Sequence, residues 1–149
     1  MADSITQIEV EAPIDTIWRF IESMDNWAPL VPGYIAHEVV SEKESRWLFT
    51  GEFGLIRKKI DLNVFITSLS APNTVRFSLK DKSEKLMGTG FFEAYDAEPN
   101  KTIMTGCLEM NAKGAKGPMI NAFLHSRLPI ISKEFTEAVA NKILELTRT

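Results

Sequence analysis

Between Tyr34 and Ala112 every break in the sequence is too short to hold a helix, so strands in this stretch can pair only as antiparallel neighbours. Candidate strands 34–43, 45–54, 56–69, 73–80, 86–96 and 101–112 are divided by Glu42-Lys43-Glu44, Ala71-Pro72-Asn73, Asp81-Lys82-Ser83 and Glu98-Pro99-Asn100. The alternation is clearest where Ile60, Leu62, Val64 and Ile66 share one face, and where Val75, Phe77 and Leu79 do so against Thr74, Arg76, Ser78 and Lys80. One face of such a sheet meets a core and the other meets water. Gly51, Gly54, Gly88, Gly90 and Gly106 interrupt these strands and are expected to mark bends or close approaches.

Two helical segments frame the sheet. At the front, Thr6, Ile8, Val10 and Ala12 alternate with Gln7, Glu9 and Glu11 as a half-buried strand. Pro13 then opens a helix carrying Ile14, Ile17, Trp18 and Ile21, with Asp15 at the positive end of its dipole. The run from Met24 to Gly33 contains Pro29 and Pro32 and has to turn a corner. At the back, after Lys113-Gly114-Ala115-Lys116-Gly117-Pro118, residues 118–147 form a long helix. Its apolar stripe is Ile120, Phe123, Leu124, Leu128, Ile131, Phe135, Val139, Ile143 and Leu146. Pro129 in mid-helix predicts a kink or short break near Leu128.

The fold class expected from this order is α+β: a curved antiparallel sheet of about seven strands wrapped on a long C-terminal helix, a helix-grip, in one domain over residues 1–149. At 149 residues and 44% hydrophobic content the chain can bury a core of that kind. A formal charge of -3 with scattered basic residues argues against nucleic acid as a partner. The single cysteine, Cys107, excludes an intrachain disulfide and fits a reducing compartment, so the expected location is the cytoplasm. The start of the chain lacks the pattern of an export signal, and nowhere do the roughly 18 consecutive apolar residues of a membrane span occur.

Four stretches carry a family resemblance: Val10-Glu11-Ala12-Pro13 with Ile17-Trp18 and the Val31-Pro32-Gly33-Tyr34 exit; Gly51-Glu52-Phe53-Gly54-Leu55-Ile56-Arg57; Gly88-Thr89-Gly90-Phe91-Phe92; and the closing helix with Glu134-Phe135. Through them the chain resembles the START-like helix-grip (SRPBCC) superfamily, and within it the CoxG-like branch associated with carbon monoxide dehydrogenase. The resemblance implies a cavity that holds a lipid, sterol, quinone or other aromatic molecule. It also implies an accessory role beside a molybdenum-containing carbon monoxide dehydrogenase, or, as in other branches, polyketide cyclase-like or hydrolase activity. Unlike that branch, the sequence stops at Thr149 with no hydrophobic tail, so at most peripheral membrane contact is expected.

Residues able to do covalent chemistry are sparse. His37 alternates with Ile35 and Val39 on a strand, and His125 lies beside the helical stripe; each reads most simply as an ordinary strand or surface histidine. They lie too far apart for a paired metal motif, so neither a metal nor a cofactor is expected. Cys107 sits among apolar neighbours with no local basic group to form a thiolate, and reads as a small buried residue. Asp25, Glu52, Glu93 and Glu109 would supply acid or base chemistry only from inside a cavity, and Glu93 and Glu109 read as wet-face residues. Arg57, Lys58 and Lys59 read as a solvated turn.

The expectation is therefore non-catalytic binding of a small hydrophobic ligand between the sheet and residues 118–147. Its expected lining is Trp27, Leu30, Trp47, Phe77, Phe92, Leu108, Phe123, Leu124, Ile131 and Phe135. Met104, Met110 and Met119 would add adaptable surface. The corner at Trp27 and the proline at Pro129 are the expected gate.

Overall fold

The computed structural model describes residues 2–53, 56–71 and 73–147; for Ala2, Asp3, Glu52, Phe53 and residues 56–58 it describes the backbone alone. Gly54, Leu55, Pro72 and Thr149 lie outside the described residues, as do the side chains of Arg57 and Lys58.

The elements run β1 (Ala2–Val10), α1 (Ile14–Ile21), α2 (Met24–Trp27), a 3-10 turn (Ala28–Leu30), β2 (Tyr34–Val39), β3 (Glu44–Phe53), β4 (Ile56–Ser70), β5 (Thr74–Lys80), β6 (Leu86–Glu98), β7 (Lys101–Ala112) and α3 (Gly117–Thr147). They form a seven-stranded antiparallel sheet of order β1-β7-β6-β5-β4-β3-β2, with α3 packed against it. The strands between β2 and β7 are hairpin neighbours, as the short turns require; only β1 joins out of sequence, antiparallel to β7, with Val10 opposite Thr102. The Thr102 hydroxyl donates to the Ala12 carbonyl at 2.7 Å and fixes the chain where β1 ends.

Pro13 has φ -66 and ψ 152, an extended conformation, so it sits just before the helix and α1 begins at Ile14. Ile17, Phe20 and Ile21 are the buried residues of α1. The corner resolves into α2 and the 3-10 turn, and Gly33, at φ +84, takes the chain into β2. A side chain at Gly33 would strike the Thr50 carbonyl, so the corner is pressed directly onto β3.

Helix α3 runs unbroken through Pro129, in place of the expected break. The reason is its position: Pro129 and His125, whose carbonyl would have accepted the missing N–H, both face solvent, where water replaces the lost bond. Leu124, Leu128, Phe135, Val139 and Ile143 are buried as the stripe required, whereas Leu146, near the end of the helix, is 52% exposed. The helix packs mainly on β1 and β7, and the rest of the sheet curls past it. Among the described residues no helix is long and apolar enough to cross a membrane.

Candidate functional site

An asymmetric grip leaves space on the side away from β1. The inward residues of β3, β4 and β5 face the first half of α3 across a cavity of about 440 Å³. Its walls are overwhelmingly apolar: Trp47 and Phe49 from β3, Ile60 and Leu62 from β4, Phe77 and Leu79 from β5. Leu108 and Met110 of β7 and Phe123, Leu124, Leu128 and Ile131 of α3 complete the interior. The mouth lies where the Val31-Pro32-Gly33 corner and Thr50-Gly51 approach α3, beside the exposed side chains of Arg127, Ile130 and Glu134.

An aromatic wall closes the inner end. The ring of Trp27 lies 5.5 Å from Trp47, 5.1 Å from Phe77, 5.2 Å from Phe92 and 6.2 Å from Phe135, and the Phe92 and Phe135 rings are 5.5 Å apart. Edge-to-face and tilted pairs of this kind are the arrangements that aromatic rings prefer. Trp47, Phe77 and Phe135 show a face to the cavity, while Trp27 and Phe92 stand behind them.

Of the residues expected to line a cavity, the structure brings Trp47, Phe77, Leu108, Phe123, Leu124, Ile131 and Phe135 together around this one. Trp27, Leu30 and Phe92 do not reach it. Trp27 is 0% exposed and its indole donates to the Ile21 carbonyl at 2.9 Å, so the corner residue expected to act as a lid is part of the core. Leu30 is half-buried against that core. Of the methionines, Met110 lines the cavity, Met104 is in the core and Met119 is 63% exposed. Pro129 lies on the solvent side of α3, between lining residues Leu128 and Ile130.

Sequence reasoning missed the polar members of the site, Arg127 and Glu134. Helical spacing places them within reach, since they stand four residues before and three after Ile131. They are the ionisable side chains among the lining residues. A wider depression of about 650 Å³ lies on the outer face of β4–β7, with Lys80, Thr89 and Glu109 from the water-facing register of the strands and Lys113 just beyond β7 along it.

Other chemistry-bearing residues are elsewhere. The Tyr34 hydroxyl donates to His37 Nδ1 at 2.7 Å when His37 Nε2 carries the proton that it shares with Asp25 Oδ1 at 2.8 Å. That chain ties β2 to α2 and does not line the cavity. Cys107 is buried on β7, and His125 is exposed. Glu93 is half-buried on the outer face and accepts a hydrogen bond from the Tyr95 hydroxyl, which holds the Tyr95 phenol above the usual tyrosine range. Among the described residues no group of His, Cys, Asp or Glu could hold a metal ion.

Comparison with known proteins accounts for this arrangement. A START-like family model matches residues 1–145. The chain belongs to the START-like (SRPBCC) superfamily. A conserved protein from Geobacillus kaustophilus superposes with a TM-score of 0.74 at 14% identity, over 96% of this chain and 95% of that one. A START superfamily protein from Mycobacterium smegmatis gives 0.68 at 14% identity, over 98% and 99%. Norcoclaurine synthase from Thalictrum flavum, in complex with dopamine and hydroxybenzaldehyde, gives 0.68 at 14% identity over 96% of this chain and 86% of that one. A search of curated proteins found no match. Members of this START-like fold bind hydrophobic ligands or act as cyclases, and at these identities the structural likeness establishes the fold.

Proposed function

We propose that this START-like protein binds one small lipophilic molecule, without covalent chemistry, in the cavity between β3–β7 and α3. The observation that carries the reading is the cavity itself: about 440 Å³ with apolar walls, and charged side chains only at its mouth. That volume lies in the range of small-molecule sites, and apolar burial there is worth about 25 cal/mol per Å². Lining by Trp47, Phe77, Leu108 and Phe123 suits a flat or branched hydrocarbon body of the lipid or quinone-like kind. Access runs between α3 and the Val31–Gly33 corner. Pro129, which deprives α3 of one backbone bond beside the mouth, is the gate element of that wall.

Native mass spectrometry of freshly purified protein, with solvent extraction of whatever is released, tests the reading. A stoichiometric fatty acid, isoprenoid or quinone supports it. A protein of unladen mass, unchanged after incubation with membrane lipids and menaquinone, removes it.

A second reading follows from the CoxG resemblance and from the edge strand β2, where Ile35 and Val39 are exposed. In that reading the chain docks on a molybdenum-containing carbon monoxide dehydrogenase as an accessory protein. A pull-down from the native host without any component of such an enzyme sinks it. A cyclase-like activity would have to use Arg127 or Glu134, the ionisable groups of the lining. Substitution of both without loss of turnover rules that route out.

A further inference from the structure

Trp47 presents a polar group for which the protein supplies no partner. Among the described residues its indole Nε1 is the buried side-chain nitrogen or oxygen left without a hydrogen-bond partner. The residue is 4% exposed, on the inward face of β3 opposite Leu62, and belongs to the cavity wall. Trp27, its neighbour in the aromatic wall, shows how the fold treats an indole that only packs: that N–H is bonded to the Ile21 carbonyl at 2.9 Å. A buried donor left unpaired is unfavourable, and phenylalanine would cover much of the same wall without it.

We infer that Trp47 Nε1–H is the hydrogen-bond donor for the ligand, and that the ligand is a neutral, oxygen-bearing lipophile whose carbonyl or similar acceptor lies deep in the cavity against Trp47. The inference rests on the binding reading above and narrows the ligand class within it. The acceptor is neutral because the charged lining groups, Arg127 and Glu134, are exposed at the mouth, and an ionised group at Trp47 would be desolvated without a counter-charge. The body of the molecule extends from Trp47 between Phe77, Leu108 and Phe123. Nε1 is covered as the wall stands, so the acceptor meets it as the indole turns.

Fluorenone and fluorene test this as a pair, since they share a flat outline and differ in a carbonyl against a methylene. Calorimetric titration of the full chain is expected to favour fluorenone by roughly threefold to tenfold, the range of one neutral hydrogen bond. In Trp47→Phe the preference is expected to vanish, read as the ratio of the two affinities within that variant. Equal affinities in the parent chain, or an unchanged preference in the variant, overturn the inference and leave the cavity reading standing. Failure of both molecules to bind the parent chain overturns the two together. Should Trp47→Phe fail to fold, the indole N–H resonance of Trp47 in the parent chain decides: the chain has 3 tryptophans, so the signal is readily assigned. A downfield shift with fluorenone and none with fluorene supports the bond. No difference between the two overturns it and leaves the N–H to the face of Trp27, whose ring stands at 76° to that of Trp47.

Discussion

The hydroxyl of Thr136 on α3 rests on the Cα of Gly106 on β7, so close that a methyl group at position 106 would occupy the same space as Oγ1. Thr136 cannot easily withdraw, because it is buried and its hydroxyl donates to the Ser132 carbonyl at 2.8 Å within the helix. This contact limits how near the helix can come to β7, whose Leu108 and Met110 line the cavity. Gly106→Ala should destabilise the fold by about 1–3 kcal/mol through overpacking, read as a lower urea midpoint at unchanged slope. Adding Thr136→Ala should return part of that loss, and a cycle with no coupling between the two sites would show that the helix rests elsewhere.

Trp27 is expected to behave as a core residue under mutation. It contacts Trp47, Phe77, Phe92 and Phe135 and bonds to Ile21, so Trp27→Ala should cost about 3–5 kcal/mol in chemical denaturation. Met119→Ala, at an exposed position of α3, should stay within about 0.5 kcal/mol. Comparable small effects at both sites would return Trp27 to the surface role that its irregular corner implies.

The contrast between these positions marks what could be read from the sequence. The sheet was legible because its signal is local: Leu62, Val64 and Ile66 alternate over a few residues, and the short turns leave only hairpin pairing. The mouth of the cavity was harder, because Arg127 and Glu134 stand out only once α3 is set at a particular rotation over the sheet. Trp27 was misplaced because its partners come from β3, β5, β6 and α3, and no local pattern reports such long-range company. The run through Pro129 depended on exposure, which the helical stripe alone did not weigh against the lost backbone bond.

Tyr95 gives a prediction in pH. Its hydroxyl bonds to the Glu93 carboxylate; that bond, then burial and the nearby negative charge, raise the phenol's pKa above the usual tyrosine value. The folded chain thus holds this proton more tightly than the unfolded one. Its contribution to stability is fully present below the unfolded pKa and is lost as pH rises through the folded one. In an ultraviolet titration Tyr95 should ionise later than a free tyrosine, and Glu93→Gln should bring it back toward the ordinary value. A curve identical in the two proteins would mean that the contact is not kept in solution.

Pro129 tests the link between helix strength and access to the cavity. In α3 it leaves the His125 carbonyl without an intrahelical partner, and both residues are exposed, so alanine fits without touching the core. Restoring the bond and removing the ring should stabilise the fold by about 1–3 kcal/mol on helix propensity. The greater freedom of the unfolded chain would offset about 0.4–1 kcal/mol of that gain. If the proline also softens the wall beside Leu128 and Ile131, Pro129→Ala should slow the exchange of a bound probe such as fluorenone without weakening its affinity. Stopped-flow displacement on the parent and the variant separates the two effects. Higher stability with unchanged exchange rates would confine Pro129 to the helix and place the gate at the Val31–Gly33 corner.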